Sequence, residues 1–299
     1  MASRPDYGGF SGRFRLQGFQ HSTTIHVKIM TCLIAWIGVD SRGPSPCYLA
    51  ADSRFTWGNT GIAWDHGRKV FGSRKSPDIW GYYGDVLFPS TVIGQIVEAI
   101  AEGLLVLGED SHSLFKRAFH EQLRAYPSAM AKPFGVLHCR RSESNIASTF
   151  AINHLSWQPN TGWSDTLLPI PVTSEVVDAF GSGKAAFNYW SARFSKSDIG
   201  STSRAVFQAF CKTLEEGEDP LVGGAPQLAS LIRIGNGRQQ GVVWNGEAWL
   251  AGLRLARGDF RPSIEFMDAQ FQRCDPASLA LLQGAQPQPH PTQIHPLEP

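Results

Sequence analysis

Residues 30–58 read MTCLIAWIGVDSRGPSPCYLAADSRFTWG. Two apolar runs in this stretch, Leu33–Ile37 and Tyr48–Ala51, have the length and composition of short buried strands. They predict a β-hairpin. The elements that follow this hairpin decide the fold class.

Strands and helices are predicted to come in alternating groups along the chain. Apolar runs at 69–71 and 79–83 predict two more strands, and a period of about four residues over 91–107 and 114–123 predicts two amphipathic helices. The pattern then repeats, with strands at 134–139, 148–154 and 176–180, helices at 184–194 and 203–216, a strand at 227–234 and a hairpin around Asn245-Gly246. This order predicts an α+β fold, a four-layer αββα sandwich, and argues against a doubly wound fold.

Composition excludes several classes of protein. A chain of 299 residues that is 42% hydrophobic can bury a large core. The 27 basic and 26 acidic residues give a net charge of +1, so no global field directs the chain to nucleic acid or a membrane surface. The 5 cysteines are scattered without a Cys-x-x-Cys pair, which fits a reducing cytoplasm and indicates neither a disulfide framework nor a metal site. We expect no cofactor, no nucleic-acid partner and no membrane partner.

The two ends of the chain differ in composition from its middle. Residues 1–30 are poor in aliphatic side chains and lack the apolar core of a secretory signal, so we interpret them as a disordered or removed leader, or a mis-called start. Residues 276–299 are rich in Pro, Gln and His and predict a disordered tail. A single domain is therefore expected over 31–275.

Thr31 stands at the start of the first predicted strand. If the residues before it were removed, it would carry a hydroxyl and a free α-amine together. An α-amine has an unperturbed pKa of roughly 7.7–8.0, so part of it is neutral near pH 7 and can accept the hydroxyl proton. By contrast, Gly181-Ser182-Gly183-Lys184 lacks both the leading glycine and the following Ser or Thr of a phosphate-binding loop, which disfavours nucleotide binding.

Several segments in chain order resemble the catalytic half of a proteasome β-type subunit, a member of the N-terminal nucleophile (Ntn) hydrolase family with bacterial relatives. They are Thr31 opening a strand, LAADSRFTWG at 49–58, Lys69-Val70, Tyr83-Gly84-Asp85, Phe180-Gly181-Ser182-Gly183 and DPLVGG at 219–224. This resemblance spans residues 31–237 and implies the αββα fold of that family.

The resemblance implies a role for each matching residue. Thr31 would be the nucleophile and its α-amine the general base. The other implied catalytic residues are Asp52 and Lys69 as a buried ion pair, Gly84 as a backbone donor to the oxyanion, and Ser182 and Asp219 in the hydrogen-bond network of the amine. Substrate would bind at Phe55, Thr56 and Tyr82, where Thr56 holds the peptide main chain as an added strand and the aromatic side chains line a pocket.

The implied activity is that of a threonine-type endopeptidase acting on peptides or unfolded protein. The implied assembly is a homo-oligomeric ring that works with a separate ATPase unfoldase. Two departures leave alternatives open: Val222 stands where the family has serine, and Met30 rather than glycine precedes Thr31. The alternatives are a catalytically silent structural or assembly homologue and a small-molecule Ntn amidohydrolase. Translation starting at Met30, followed by removal of that methionine, would also expose Thr31.

Overall fold

The computed structural model describes residues 30–57, 60–106, 108, 110–256 and 263–285. Nearly all of the predicted leader lies outside the described residues, as does the predicted tail from residue 286 onward. Beyond the predicted domain end at 275, the described chain continues through a turn, and Leu281 forms an isolated bridge with Cys274.

The described residues form strands and four α-helices, with two short 3₁₀ turns at Ser128–Met130 and Asn145–Ala147. The strands are β1 (Leu33–Asp40), β2 (Gly43–Ala51), β3 (Phe55–Thr56), β4 (Ala63–Trp64), β5 (Val70–Gly72), β6 (Asp78–Gly84), β7 (Phe134–Ser142), β8 (Thr149–Gln158), β9 (Gly162–Leu168), β10 (Glu175–Phe180), β11 (Gln227–Leu231), β12 (Arg238–Trp244), β13 (Glu247–Leu250), β14 (Leu253–Arg254), β15 (Phe266–Met267) and β16 (Arg273–Cys274). The helices are α1 (Leu87–Ala101), α2 (Ser111–Ala125), α3 (Lys184–Phe194) and α4 (Ser203–Glu216).

Two sheets organise these elements, and the predicted mixed α and β content is confirmed. The larger sheet has the strand order β10-β1-β2-β11-β12-β13-β14, with β15 pairing in parallel with β12 and β16 pairing with β15. The smaller sheet has the order β5-β6-β7-β8-β9 and is antiparallel throughout. The pair β3–β4 forms a separate short ribbon.

Each apolar cluster lies between recognisable elements. One cluster joins the larger sheet to α3 and α4 and contains Trp36, Phe207 and Phe210. A second joins side chains of the two sheets. There the sheets approach so closely that a Cβ on Gly81 would lie 2.7 Å from the Leu33 side chain. A third joins the smaller sheet to α1 and α2 and contains Trp80. Strand β1 contributes to the first two clusters, and this burial of both faces explains its continuous apolar sequence.

Two elements differ most from the sequence prediction, besides the short strands β3, β4, β14, β15 and β16, which were not predicted. The helix predicted over 91–107 runs from Leu87 to Ala101, because the chain turns at Gly103, whose φ is +72°. Leu104, which belonged to the predicted apolar stripe, is therefore 79% exposed. Strand β9 was not predicted, since it lies at the edge of its sheet and most of its residues are not buried, so its sequence lacks a regular apolar alternation.

A buried histidine network fastens α2 to the smaller sheet. The Nδ1 atoms of His112 on α2 and His138 on β7 are 3.1 Å apart. His112 Nε2 lies 3.0 Å from Asp165 Oδ1 on β9, and His138 Nε2 lies 2.7 Å from Asp78 Oδ1 on β6. Lys116 and Ser111, also on α2, donate to Asp165 and Asp78.

We expect this network to make folding stability depend on pH. Burial, followed by the charge of His138, lowers the pKa of His112 below its ordinary value. The unfolded chain therefore takes up a proton near pH 6.5, whereas His112 in the folded chain takes one up only at lower pH. The free energy of unfolding falls for this reason as the pH drops below about 6.5. Thermal unfolding of the wild type between pH 7.5 and 5.5 should show a decrease in Tm that His112→Gln reduces. A His66→Gln control outside the network should retain the wild-type slope, and an unchanged slope in His112→Gln would contradict the expectation.

Candidate active site

Thr31 lies two residues before the start of β1 and is 1% exposed. Its carbonyl oxygen accepts a hydrogen bond from Gly183 N at 3.1 Å. Gly181 passes so close that a Cβ there would lie 2.1 Å from the same oxygen, and its φ is +87°. The sequence therefore needs glycine at 181, because a side chain would displace Thr31. Thr31 itself has a φ of +117°, a conformation that costs energy for a β-branched residue and is concentrated at functional sites.

Lys69 and Asp52 form an ion pair beside the Thr31 hydroxyl. Lys69 Nζ donates to Asp52 Oδ1 at 2.8 Å and to Thr31 Oγ1 at 3.1 Å. Both side chains of the ion pair are 0% exposed. The structure thus brings together the three residues predicted to be the nucleophile and its charged partners. Each lies beside the end of a different strand: Thr31 before β1, Asp52 after β2 and Lys69 before β5.

The Asp52 carboxylate accepts backbone hydrogen bonds as well as the ammonium group. Cys32 N donates to Oδ1 at 3.0 Å, and Arg54 N and Gly223 N donate to Oδ2 at 3.1 and 3.2 Å. These charge-assisted bonds stabilise a carboxylate that has no contact with water. Burial lowers the pKa of Lys69, while the charge of Asp52 and their hydrogen bond act in the opposite direction. The ammonium group is thereby held in a site where its charge acts strongly on neighbouring groups.

Gly84 presents its backbone N–H to the residue before Thr31. Gly84 N donates to Met30 O at 3.3 Å. Its φ is +90°, and a Cβ would lie 2.5 Å from Pro133 O, so this position also requires glycine. An acyl carbonyl that reacts with Thr31 Oγ1 needs such a donor on its oxygen. In the chain as described, the Met30 carbonyl occupies that place.

Of the three residues predicted to bind substrate, two lie near Thr31 or Lys69 and the third does not. Thr56 Oγ1 contacts the sulfur of Met30, so Thr56 lies beside the residue that precedes the nucleophile. The Phe55 ring centroid is 5.8 Å from Lys69 Nζ and packs edge-on against Trp64. The structure does not bring the Tyr82 side chain into this group. Tyr82 is fully buried in the cluster beneath α1 and α2, and its hydroxyl donates to Arg68 O at 2.8 Å.

Ser182 lies between Gly181 and Gly183, which contact Thr31, and Asp219 lies in the loop that reaches Asp52 through Gly223 N. The Ser182 hydroxyl is buried and makes no hydrogen bond with the described part of the chain. Asp219 Oδ1 accepts a hydrogen bond from Leu221 N at 3.0 Å. The negative charge of Asp219 also raises the pKa of Cys32, although burial and the charges of Asp52 and Lys69 have larger effects on it. Val222 is 4% exposed, and its side chain lies 3.0 Å from the Cβ position of Gly183. Its apolar side chain offers no hydrogen bond to the Thr31 region.

Solved structures that are similar to this chain include the following two. One is eukaryotic HslV from Trypanosoma brucei, with 12% sequence identity and a TM-score of 0.41, covering 67% of this chain and 99% of that one. The other is BPH from Thiobacillus denitrificans in complex with epoxomicin, with 13% identity and a TM-score of 0.42, covering 68% of this chain and 99% of that one. No protein-family model matches the sequence. No curated protein matches it either. The chemical interpretation therefore rests on the side chains of this chain.

Two residues of the site were not singled out from the sequence. Arg54 forms a bidentate ion pair with Asp65, at 2.7 and 2.8 Å, and donates to the carbonyl oxygens of Pro220 and Val222. It thereby ties the Asp52 turn to the 219–224 loop. Gln227 at the start of β11 hydrogen-bonds both to the Asp52 turn and to Lys69. Arg54 lies inside the motif quoted above, whereas no local pattern marks Gln227.

Within the described residues, no group of three or more His, Cys, Asp or Glu side chains could hold a metal ion. A search of the same residues for a helix both long and apolar enough to cross a membrane finds none.

Proposed function

We propose that this chain is an N-terminal-threonine amide hydrolase of the Ntn type, with the four-layer αββα sandwich of that family over residues 31–275. Its proposed substrates are peptides or unfolded protein. The observation that carries the proposal is the contact of Lys69 Nζ with both Thr31 Oγ1, at 3.1 Å, and Asp52 Oδ1, at 2.8 Å, with both side chains of the ion pair 0% exposed.

The reaction follows from these groups once the Thr31 amine is free. The neutral amine accepts the Oγ1 proton as Oγ1 bonds to the substrate carbonyl carbon, and the Gly84 N–H stabilises the oxyanion. Collapse of this intermediate breaks the C–N bond, and the leaving amine takes the proton. Water activated by the same amine then hydrolyses the ester. The Lys69 charge favours the neutral form of the Thr31 amine through like-charge repulsion.

In the described chain the Thr31 nitrogen is still in an amide bond with Met30. The hydrogen bond from Gly84 N to Met30 O, at 3.3 Å, polarises the carbonyl carbon that the Thr31 hydroxyl would attack during self-cleavage. In that step an Oγ1–C bond forms, the Oγ1 proton passes to the Thr31 nitrogen, and the C–N bond breaks to release the amine. Water then hydrolyses the ester. Removal of an initiating Met30 by an aminopeptidase would give the same product.

The state of the N-terminus tests the proposal directly. We expect intact-mass measurement and N-terminal sequencing to find a chain that begins at Thr31, both for the full-length protein and for one translated from Met30. Each should hydrolyse an unfolded protein substrate and become labelled by a peptide epoxyketone, which reacts with the hydroxyl and amine of an N-terminal threonine. A folded protein that exposes Thr31 yet neither hydrolyses amides nor becomes labelled would contradict the proposal.

A silent structural homologue is the second candidate, and the apolar, buried Val222 favours it. This side chain cannot donate to the amine, and the neighbouring Ser182 hydroxyl makes no hydrogen bond with the described residues. Retention of Met30 in a folded protein together with an absence of labelling would support this candidate. Hydrolysis of small amides without hydrolysis of unfolded protein would instead support an amidohydrolase. Ring assembly and an ATPase partner, implied by the resemblance, are testable by native mass measurement and by ATP-dependent degradation.

A further inference from the structure

Gln227 is a buried side chain that contacts both halves of the Lys69–Asp52 pair. It lies at the start of β11, is 1% exposed, and pairs in register with Ala51 of β2. Its Oε1 accepts from Lys69 N at 2.9 Å and from Val70 N at 3.4 Å. Its Nε2 donates to Gly67 O at 2.7 Å, to Asp52 O at 3.1 Å and to Ser53 Oγ at 3.2 Å. A single amide thus uses both its oxygen and its nitrogen within the site.

These bonds join segments that belong to different sheets. Asp52 directly follows β2 of the larger sheet, whereas Lys69 directly precedes β5 of the smaller one. The ion pair therefore bridges the two sheets, and its geometry depends on how the two chain segments are held. Gly67 N also donates to Ser53 O at 2.9 Å, which fixes the approach of the Lys69 segment, but the Lys69 and Val70 N–H groups depend on Gln227.

The geometry assigns to Gln227 the role of a positioning residue for the Thr31–Lys69–Asp52 group; this inference rests on the function proposed above. Gln227 does not touch Thr31. It acts through the Lys69 backbone, which sets where the ammonium group stands relative to the Thr31 hydroxyl and amine. Because two buried N–H groups would lose their acceptor without it, the Lys69 segment would shift toward other partners.

A displaced Lys69 changes catalysis in a recognisable way. The repulsion between the ammonium group and the Thr31 amine weakens, so the amine pKa rises toward its unperturbed value of roughly 7.7–8.0. A smaller fraction of the amine is then neutral, and the acidic limb of the activity profile moves to higher pH. Substrate binding, which involves other residues, is unaffected, so kcat falls while KM does not change.

The experiment compares Gln227→Met with Gln208→Met, in chains that begin at Thr31. Gln208 on α4 is a matched control, since it is 5% exposed and its amide donates to Gln270 O away from the site. We expect Gln227→Met to lower kcat and the epoxyketone labelling rate by about 10- to 100-fold, the effect of misplacing a catalytic group by about 1 Å. KM should stay within about twofold, and the acidic limb should shift upward by about half a pH unit or more. Gln208→Met should match the wild type in all of these.

The two proposals fail in different ways. A wild-type chain that begins at Thr31 but is neither active nor labelled overturns the proposed function. An active wild type with an equally active Gln227→Met, or a loss of activity without a shift of the acidic limb, overturns the positioning role. If Gln227→Met does not fold, Gln227→Glu replaces it. A carboxylate there keeps the acceptor but donates only when protonated, so its activity relative to the wild type should rise as the pH is lowered, and a constant ratio would overturn the role.

Discussion

Thr31→Ala is expected to abolish amide hydrolysis and epoxyketone labelling while the chain still folds. Alanine at this position permits removal of an initiating Met30, so the α-amine is retained and only the hydroxyl and its methyl group are lost. Loss of the nucleophile in hydrolases of this kind lowers kcat by about 10⁴-fold or more. The measurement is kcat on an unfolded protein substrate, with N-terminal sequencing of the same preparation.

Folding should change little in this variant, because Lys69 keeps its bond to Asp52 at 2.8 Å when the Thr31 hydroxyl is absent. We expect the free energy of unfolding to stay within about 2 kcal/mol of the wild type, in the range of most point substitutions. Thr31→Ser, which restores a hydroxyl on the same amine, is the matched control and should recover part of the activity. Undiminished hydrolysis by Thr31→Ala would show that another group is the nucleophile.

Local patterns were sufficient to predict most elements of the fold. Helices α3 and α4 have the predicted bounds, since their apolar side chains repeat with the helical period and Gly217 ends α4 in a left-handed conformation. Strand β9 was missed because an edge strand with few buried residues needs no apolar alternation. The end of α1 was misplaced because Leu104 continues the apolar period after Gly103 has turned the chain.

The candidate site was only partly predictable, because some of its residues carry no local sequence pattern. Thr31, Asp52, Lys69 and Gly84 each lie in a short segment with a recognisable order of residues, and the structure brings these segments together. The role of Gln227 depends on partners about 160 to 175 positions away in sequence, which no local pattern encodes. For Tyr82, the sequence showed an aromatic side chain but not the face of β6 on which it lies. Packing against α1 and α2 sets that face.

Lys69→Met is the variant expected to lose both stability and activity. Methionine preserves most of the length and the apolar part of the side chain but removes the charge. Asp52, which is 0% exposed, is then left as a buried carboxylate without its ammonium partner. Breaking such a pair costs about 3–5 kcal/mol, so chemical denaturation should show a loss of this size. Hydrolysis should fall by about 10³-fold or more, since the Thr31 amine loses the charge that keeps it neutral.

The double variant Lys69→Met with Asp52→Asn separates the two effects. It removes the unpaired charge, and a buried ion pair replaced by uncharged residues of similar size is often neutral for folding. We therefore expect the double variant to regain about 2 kcal/mol or more of stability over Lys69→Met, while its hydrolysis remains as low. Recovery of hydrolysis together with stability would mean that Lys69 acts only by neutralising Asp52. Recovery of stability alone would mean that the Lys69 charge is needed beside Thr31 for the reaction itself.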